Sequence, residues 1–219
     1  MLEDYSVIQK ISRVIQVNIK ENKYTFLGLF LFYILGIILG SFAVNDLDLQ
    51  QKDDMTKYLN GFLKLLDSNE VNRMSLFKMS LIDNFKIIAV FWVLGFTVIG
   101  IPIYYIIIGM KGFTTGFSSG IIMGVLGVKG IMVSTICFLP KEIIIIPCII
   151  ALGVNGIKLS RAIFRAWIKK ANKDENIIAQ KIGPYSFFTI FFSIFLFFAA
   201  LFDAYISSGT LNILSRIAS

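Results

Sequence analysis

The chain has 219 residues, of which 56% are hydrophobic and 16% are charged, with a mean hydropathy of +0.76 and a formal net charge of +7. Because soluble domains carry about a quarter of charged residues, this composition excludes most soluble globular enzymes. The chain has no histidine and two cysteines, which removes the usual general base and argues against a disulfide scaffold. We therefore expect an all-α membrane protein that crosses the bilayer several times.

The apolar stretches predict a bundle of about five transmembrane helices, since a spanning helix needs about 20 apolar residues. Residues 112–157 are long enough for two spans, or for one span and a re-entrant half-helix near Pro140. In chain order we predict a cytoplasmic N-terminal segment (1–24), a first span (25–44), an outer loop (45–86) and a second span (87–110) closed by a tight turn at Lys111. A glycine-rich third span and a broken fourth span follow (112–157). The chain then continues with a basic cytoplasmic loop (158–184), a fifth span (185–202) and an outer tail (203–219).

The distribution of charge predicts the orientation. With five spans, three segments rich in lysine and arginine lie on one side of the membrane, and residues 45–86, with seven acids and six bases, lie on the other. Basic loops stay in the cytoplasm, so we expect a cytoplasmic N-terminus and an outer C-terminus in the cell membrane. The bases flank spans rather than forming a separate basic domain. We therefore expect contact with the lipid bilayer and not with nucleic acid.

The outer loop contains apolar residues at helical spacing, preceded by the candidate helix caps Asp53 and Asp54. One interpretation is a pair of amphipathic helices that lie on the membrane surface or pack on each other. The other is a docking surface for a partner outside the cytoplasm. The candidate docking residues are Tyr58, Leu59, Phe62, Leu63 and Leu66.

Two rows of glycines with four-residue spacing predict close helix packing. Residues four apart share one helix face, and glycine there forms a groove that admits another helix. The neighbour is either a helix of the same chain or a second copy, so a homo-oligomer is one of the two expected outcomes. The candidate packing residues are Gly36, Gly40, Gly112, Gly116, Gly120 and Gly124.

A proline motif within residues 112–157 predicts a break in the fourth span. The motif comprises Leu139, Pro140, Lys141, Glu142 and Pro147. Proline removes a backbone donor, and charged groups are costly at membrane depth. Either Lys141 and Glu142 form an outer turn at the membrane surface, or the break lines a cavity or partner groove, as broken helices do in transporters.

The sequence contains no recognisable pattern of catalytic or metal-binding residues. There is no metal-ligand cluster, no phosphate-binding loop and no nucleophile paired with histidine. Apart from Glu142 and Asp203, the acids lie in the segments that flank the spans. We therefore expect a protein that is not an enzyme and holds no cofactor or metal.

Several short segments, taken in order, resemble the stage II sporulation protein M family. They are Gly40–Asn45, Asp83–Lys86, Trp92–Gly95, Ile99–Pro102, Lys111–Phe113, Gly116–Phe117, Lys129–Gly130, Leu139–Pro140 and Ile146–Pro147. Where many relatives have a His-Gly pair and a glutamate, this chain has Lys141, Glu142 and Ile145. The resemblance implies an integral membrane protein of engulfment in endospore-forming bacteria. It would position two peptidoglycan-degrading partners, stage II sporulation proteins D and P, at the septal membrane of the mother cell.

The outer loop, the glycine rows and the lack of catalytic groups predict a non-enzymatic membrane scaffold, and the resemblance implies that it recruits peptidoglycan hydrolases during sporulation. The alternative is a small-solute or ion channel or transporter, which the glycine row and the proline motif would favour. A third hypothesis, an enzyme with an in-membrane substrate, would need a carboxylate or a thiol such as Glu142 or Cys137.

Overall fold

The computed structural model describes residues 22–67, 73–168 and 181–201, and contains no strand among them. The described helices are α1 (Lys23–Ala43), α2 (Leu49–Asp67), α3 (Arg73–Gly95), α4 (Gly100–Leu126), α5 (Val128–Ile168) and α6 (Lys181–Leu201). The expected all-α membrane bundle is confirmed.

Helices α1 and α4 lie side by side and run in the same direction. The backbone of Tyr33 faces Gly112, and one turn later Ile37 faces Gly116. Two parallel neighbours require the chain to return between them, and α3 makes that return. Its C-terminal end meets the start of α4, where Leu94 lies against Gly100, and its other end places Phe77 beside the ring of Phe197.

The remaining helices continue the alternation of direction. Helices α4 and α5 form an antiparallel hairpin joined at Gly127, whose φ of 59° favours glycine. Helix α6 is antiparallel to α3, since Asn84 donates a hydrogen bond to the carbonyl of Leu196 at 3.3 Å while Tyr185 reaches the other end of α3. Helices α1, α4, α6 and residues 138–168 of α5 are long and apolar enough to cross a membrane. With α3 returning the chain, this gives about five membrane helices, as expected.

Helix α5 lies at the centre of the bundle. Most of its residues between Ile145 and Ser160 are buried, and they pack against Leu29 of α1, Phe91 of α3 and Tyr104 of α4. The outer helices expose apolar side chains on their other faces, as helices that contact lipid do. The hydrophobic core of the protein therefore forms around α5, where its side chains meet those of the surrounding helices.

The second span differs from the expected residues 87–110. Helix α3 ends at Gly95, α4 begins at Gly100, and Lys111 lies inside α4 rather than in a turn. Pro102 has no N–H to continue a helical ladder from α3, which places it in the first turn of a new helix. The third span consequently begins before residue 112.

Helix α5 is continuous through Pro140 and Pro147, so the expected break near Pro140 does not occur. Each proline removes one backbone hydrogen bond, a loss that a membrane helix tolerates where neighbouring helices pack around it. The reversal of chain direction occurs at Gly127 instead. With 41 residues, α5 is about 60 Å long, longer than the roughly 30 Å hydrocarbon core. It therefore extends beyond the bilayer.

Candidate functional site

The two glycine rows meet each other within one chain. Gly36 and Gly40 of α1 lie so close to the backbone of Gly109 and Phe113 in α4 that a methyl group at either position would overlap carbonyl oxygens. Across the same contact, Gly116 lies against the backbone of Ile37. Ser41 donates a hydrogen bond to the carbonyl of Gly116 at 3.2 Å. This contact, the α1–α4 seam, joins two helices at backbone distance.

The seam ends before the last glycine of the predicted row. At Gly120, an added Cβ would lie 2.9 Å from Cγ2 of Val44 and 3.2 Å from the carbonyl of Ser41. At Gly124 it would find nothing within 4 Å, because α1 ends at Ala43 while α4 continues to Leu126. Gly124 therefore does not contribute to this packing. The other five predicted glycines occupy a contact within the chain.

Glu142 is buried in the middle of the bundle, between three helices. Its side chain is 6% exposed. The hydroxyl of Tyr33 on α1 donates to Oε2 at 3.3 Å. The hydroxyl of Thr115 on α4 lies 3.0 Å from Oε1 and 3.1 Å from the carbonyl of Lys111, and its one proton is shared between these two acceptors. Tyr33 lies midway along α1, so this carboxyl group is at mid-membrane depth rather than at a surface turn. Among the described residues it is the one buried carboxylate.

The other residues of the proline motif have different surroundings. Leu139 is exposed, Pro140 and Lys141 are half-buried, and Pro147 is exposed beside a groove between α1 and α6. The ammonium of Lys141 lies 5.1 Å from the ring centroid of Phe138, a cation–π contact. The residues of the motif thus lie on different faces of α5. Of its two charged residues, Glu142 is buried in the bundle core and Lys141 is half-buried.

Sequence reasoning missed a cluster of hydroxyl groups that caps the end of α3. Tyr104 and Tyr185 both donate to the carbonyl of Phe91, at 2.6 and 2.7 Å, and Ser160 donates to the carbonyl of Gly95 at 3.3 Å. The last four carbonyls of a helix have no partner in the helix itself, and here Ser160 meets that of Gly95 while the Tyr185 hydroxyl also reaches that of Trp92, at 3.2 Å. The cluster therefore allows α3 to end within the bundle. The sequence signal for this cluster is Gly156, because only a residue without a side chain leaves room for the Tyr104 hydroxyl.

The two ends of the bundle carry different charges. At one end α1 begins with Lys23, and Arg161 of α5 donates to the hydroxyl of Thr25 at 3.3 Å. We call this the basic end. At the other end, α2 follows α1 and exposes mixed charges, with a Lys57–Asp53 ion pair at 2.6 Å. The hydrogen bond that the exposed Lys57 ammonium donates to the Asp53 carboxylate raises the pKa of Lys57.

The comparison with known families identifies the chain. A family model described as Stage II sporulation protein M matches residues 29–208, which is most of the chain. The chain belongs to the stage II sporulation protein M family. Neither a curated protein nor a solved structure matches it. It is thus a sporulation protein with several membrane-embedded helices, as the resemblance implied.

In this member of the family, several glycines of the segments that carried the resemblance lie at helix contacts. Gly40 and Gly112 are in the α1–α4 seam, Gly95 and Gly100 are at the α3–α4 turn, and Gly130 packs against the backbone of Ile122 in the α4–α5 hairpin.

The predicted docking residues all lie on α2, beyond the end of α1 opposite the basic end. Tyr58 is 80% exposed. The side chains of Leu59, Phe62, Leu63 and Leu66 lie outside the described part of the structure, as do the side chain of Cys137 and residues 203–219.

Proposed function

We propose that this member of the stage II sporulation protein M family is a non-enzymatic scaffold of engulfment. It recruits peptidoglycan hydrolases, the stage II sporulation proteins D and P, and localises them at the septal membrane of the mother cell. The observation that carries the proposal is α2, a polar helix at one end of a membrane bundle in a chain of this family; nearly all of its residues 49–58 are exposed.

The proposal includes the orientation of the bundle. Five helix ends lie together at the basic end: the starts of α1, α4 and α6 and the ends of α3 and α5. The basic residues there are Lys23, Lys158, Arg161, Arg165 and Lys181. Basic flanks favour the cytoplasm. The N-terminus is then cytoplasmic, the C-terminus is outside, and α2 faces the peptidoglycan.

Two elements form the proposed outer surface. Helix α2 supplies Tyr58 and the apolar positions that follow it. The α4–α5 hairpin extends beyond the end of α1, and Val128 at its tip is 81% exposed. An exposed apolar residue beside polar ones is a common feature of protein contact surfaces.

A charge-substitution experiment tests the docking role of α2. Leu59→Lys, Phe62→Lys and Leu63→Lys together should abolish co-purification of the hydrolases, because lysine is disfavoured in the centre of protein interfaces. The matched control adds the same charge to α2 as Gln50→Lys, Gln51→Lys and Asn60→Lys, and should retain the partners. Both variants should be recovered from membranes at the wild-type level. Retention of the hydrolases by the first variant would contradict docking on α2.

Labelling tests the orientation independently. In a background with Cys137 and Cys148 replaced by serine, single cysteines at Asn45 and Val128 should react with a membrane-impermeant maleimide added outside intact cells. A cysteine at position 172 should react after permeabilisation. Labelling of position 172 in intact cells would overturn the proposed orientation.

The alternative function is a conduit for a small solute or an ion, and Glu142 is the observation that favours it. An ionisable group at membrane depth commonly marks a transport pathway. The glycine row does not provide that pathway, because α1 fills its groove. The test measures the flux of tracer ions into liposomes that contain the protein. A flux that is lost in Glu142→Gln would establish a conduit. A flux no higher than that of empty liposomes would exclude this function.

A further inference from the structure

A groove opens between α1 and α6, and α5 forms its floor. Its volume is about 650 Å³, within the range of roughly 300–1,000 Å³ that is typical of small-ligand sites. The walls include Phe30 of α1 and Phe191 of α6, and the floor runs from Ile146 to Asn155. Apart from Asn155, the lining side chains are apolar.

The length and depth of the groove match one leaflet of a bilayer. Its floor from Ile146 to Asn155 is about 14 Å long, close to half of the roughly 30 Å hydrocarbon core. It starts near the basic end, since Phe26 of its wall follows Thr25, the residue bound by Arg161. The groove is therefore about as long as the hydrocarbon depth of one leaflet, the one nearest the basic end.

Helical spacing places a lysine on the groove side of each of the three helices, toward the basic end. Lys23 precedes Phe26 by three residues, Lys158 follows Asn155 by three, and Lys181 precedes Phe188 by seven. Residues three, four or seven apart share a helix face. Lys23 and Lys181 are exposed and Lys158 is half-buried. By this spacing the groove has three lysines at the end nearest the basic end, which we call the rim; the ammonium of Lys23 lies 5.1 Å from the ring centroid of Tyr24.

We propose that this groove binds an anionic phospholipid of the leaflet at the basic end. An acyl chain lies along α5 between the phenylalanines of α1 and α6, and the headgroup phosphate lies among Lys23, Lys158 and Lys181. Anionic headgroups are attracted to clustered lysines at the membrane surface. The inference is independent of the scaffold role and of which side is cytoplasmic.

A lipid suits this groove better than a second copy of the chain. Two copies inserted in the same membrane have the same orientation, so a symmetric contact across this face would bring their basic ends together. Like charges would then face each other at the rim. A phospholipid supplies both an apolar chain and the opposite charge.

Native mass spectrometry of the purified full-length protein tests the headgroup assignment. With phosphatidylglycerol and phosphatidylcholine of the same chain length, the wild type should retain phosphatidylglycerol about tenfold more strongly. Lys23→Gln, Lys158→Gln and Lys181→Gln together should remove that preference. The control Lys52→Gln, Lys57→Gln and Lys78→Gln makes the same charge change on α2 and α3, away from the rim, and should keep it. Equal retention of the two lipids by the wild type, or the same loss in both triple variants, would overturn the proposal.

The groove itself is tested by filling it. Ala151→Phe places a ring on the floor and should lower retention of both lipids, whereas Ala89→Phe, on an exposed face of α3, should not. Crosslinking of the wild type with a phosphatidylglycerol that carries a diazirine on its acyl chain should label α1, α5 and α6, and does not depend on the folding of a variant. Labels confined to other helices would contradict this lipid site. A wild-type dimer that Ala151→Phe dissociates without loss of lipid would also contradict it.

Discussion

Helix α1 has two contrasting flanks, and the contrast shows how side-chain size shapes a membrane bundle. Toward α4, Gly36 and Gly40 allow backbone contact and leave no space between the helices. Toward α6, Phe30 faces Phe191 across an open groove of about 650 Å³. In a membrane, association depends on packing rather than on expulsion of water. Small residues therefore allow a closed contact, whereas the flank lined by phenylalanines keeps a groove.

The largest expected effect comes from enlarging a residue in the closed α1–α4 seam. Gly116→Leu forces a side chain into the backbone of Ile37, so the helices must separate. We expect a loss above the ~1–3 kcal/mol of ordinary overpacking, seen as aggregation or a strongly lowered melting temperature in detergent. Gly120→Leu should be milder, because the nearest atom belongs to the movable Val44 side chain. Gly124→Leu is the control, and a loss there equal to that of Gly116→Leu would contradict the seam.

The next largest effect concerns the buried carboxyl group beside the seam. Tyr33→Phe removes the donor to Oε2 of Glu142 and should cost about 1–3 kcal/mol, because a buried polar atom loses its partner. Thr115→Val should have a similar effect at Oε1. In a Glu142→Leu background both substitutions should become nearly neutral. Chemical denaturation in detergent measures this double-mutant cycle, and additive losses would mean that neither hydroxyl acts through Glu142.

A smaller effect is expected at the polar contact along the seam. Ser41→Ala removes the hydrogen bond to the carbonyl of Gly116 but keeps the close packing, so it should cost about 0.5–1.5 kcal/mol. Ser41→Thr keeps the hydroxyl and serves as a comparison for added bulk. A loss in Ser41→Ala as large as that of Gly116→Leu would mean that hydrogen bonding, rather than the absence of side chains, holds the seam together.

The smallest effect should arise at the open flank. Phe191→Ala enlarges a groove that lipid or detergent chains already reach, so no empty enclosed cavity forms. We expect a loss well below the ~3–5 kcal/mol typical of truncating a core phenylalanine. Phe91→Ala is the matched control, since Phe91 is buried in the core. Equal shifts in melting temperature for the two variants would show that the groove is closed in the membrane-like environment.

Local sequence properties determined the class of protein and several of its contacts. The runs of apolar residues predicted a helical membrane bundle, and the glycine spacing predicted close packing before the neighbour of each row was known. The segments around Gly40, Gly100 and Pro102 predicted the family. These features depend on composition and on spacing within one helix, so they can be read from neighbouring residues.

Tertiary structure decided which distant residues meet. The glycines of α1 were matched with those of α4, and Tyr33 and Thr115 were brought to Glu142 from positions that share no local pattern with it. The continuity of α5 through Pro140 depends on the helices packed around it, which a local rule for proline does not include. The course of the membrane helices was set by residues far apart in the chain, because packing is a property of surfaces that only folding brings together.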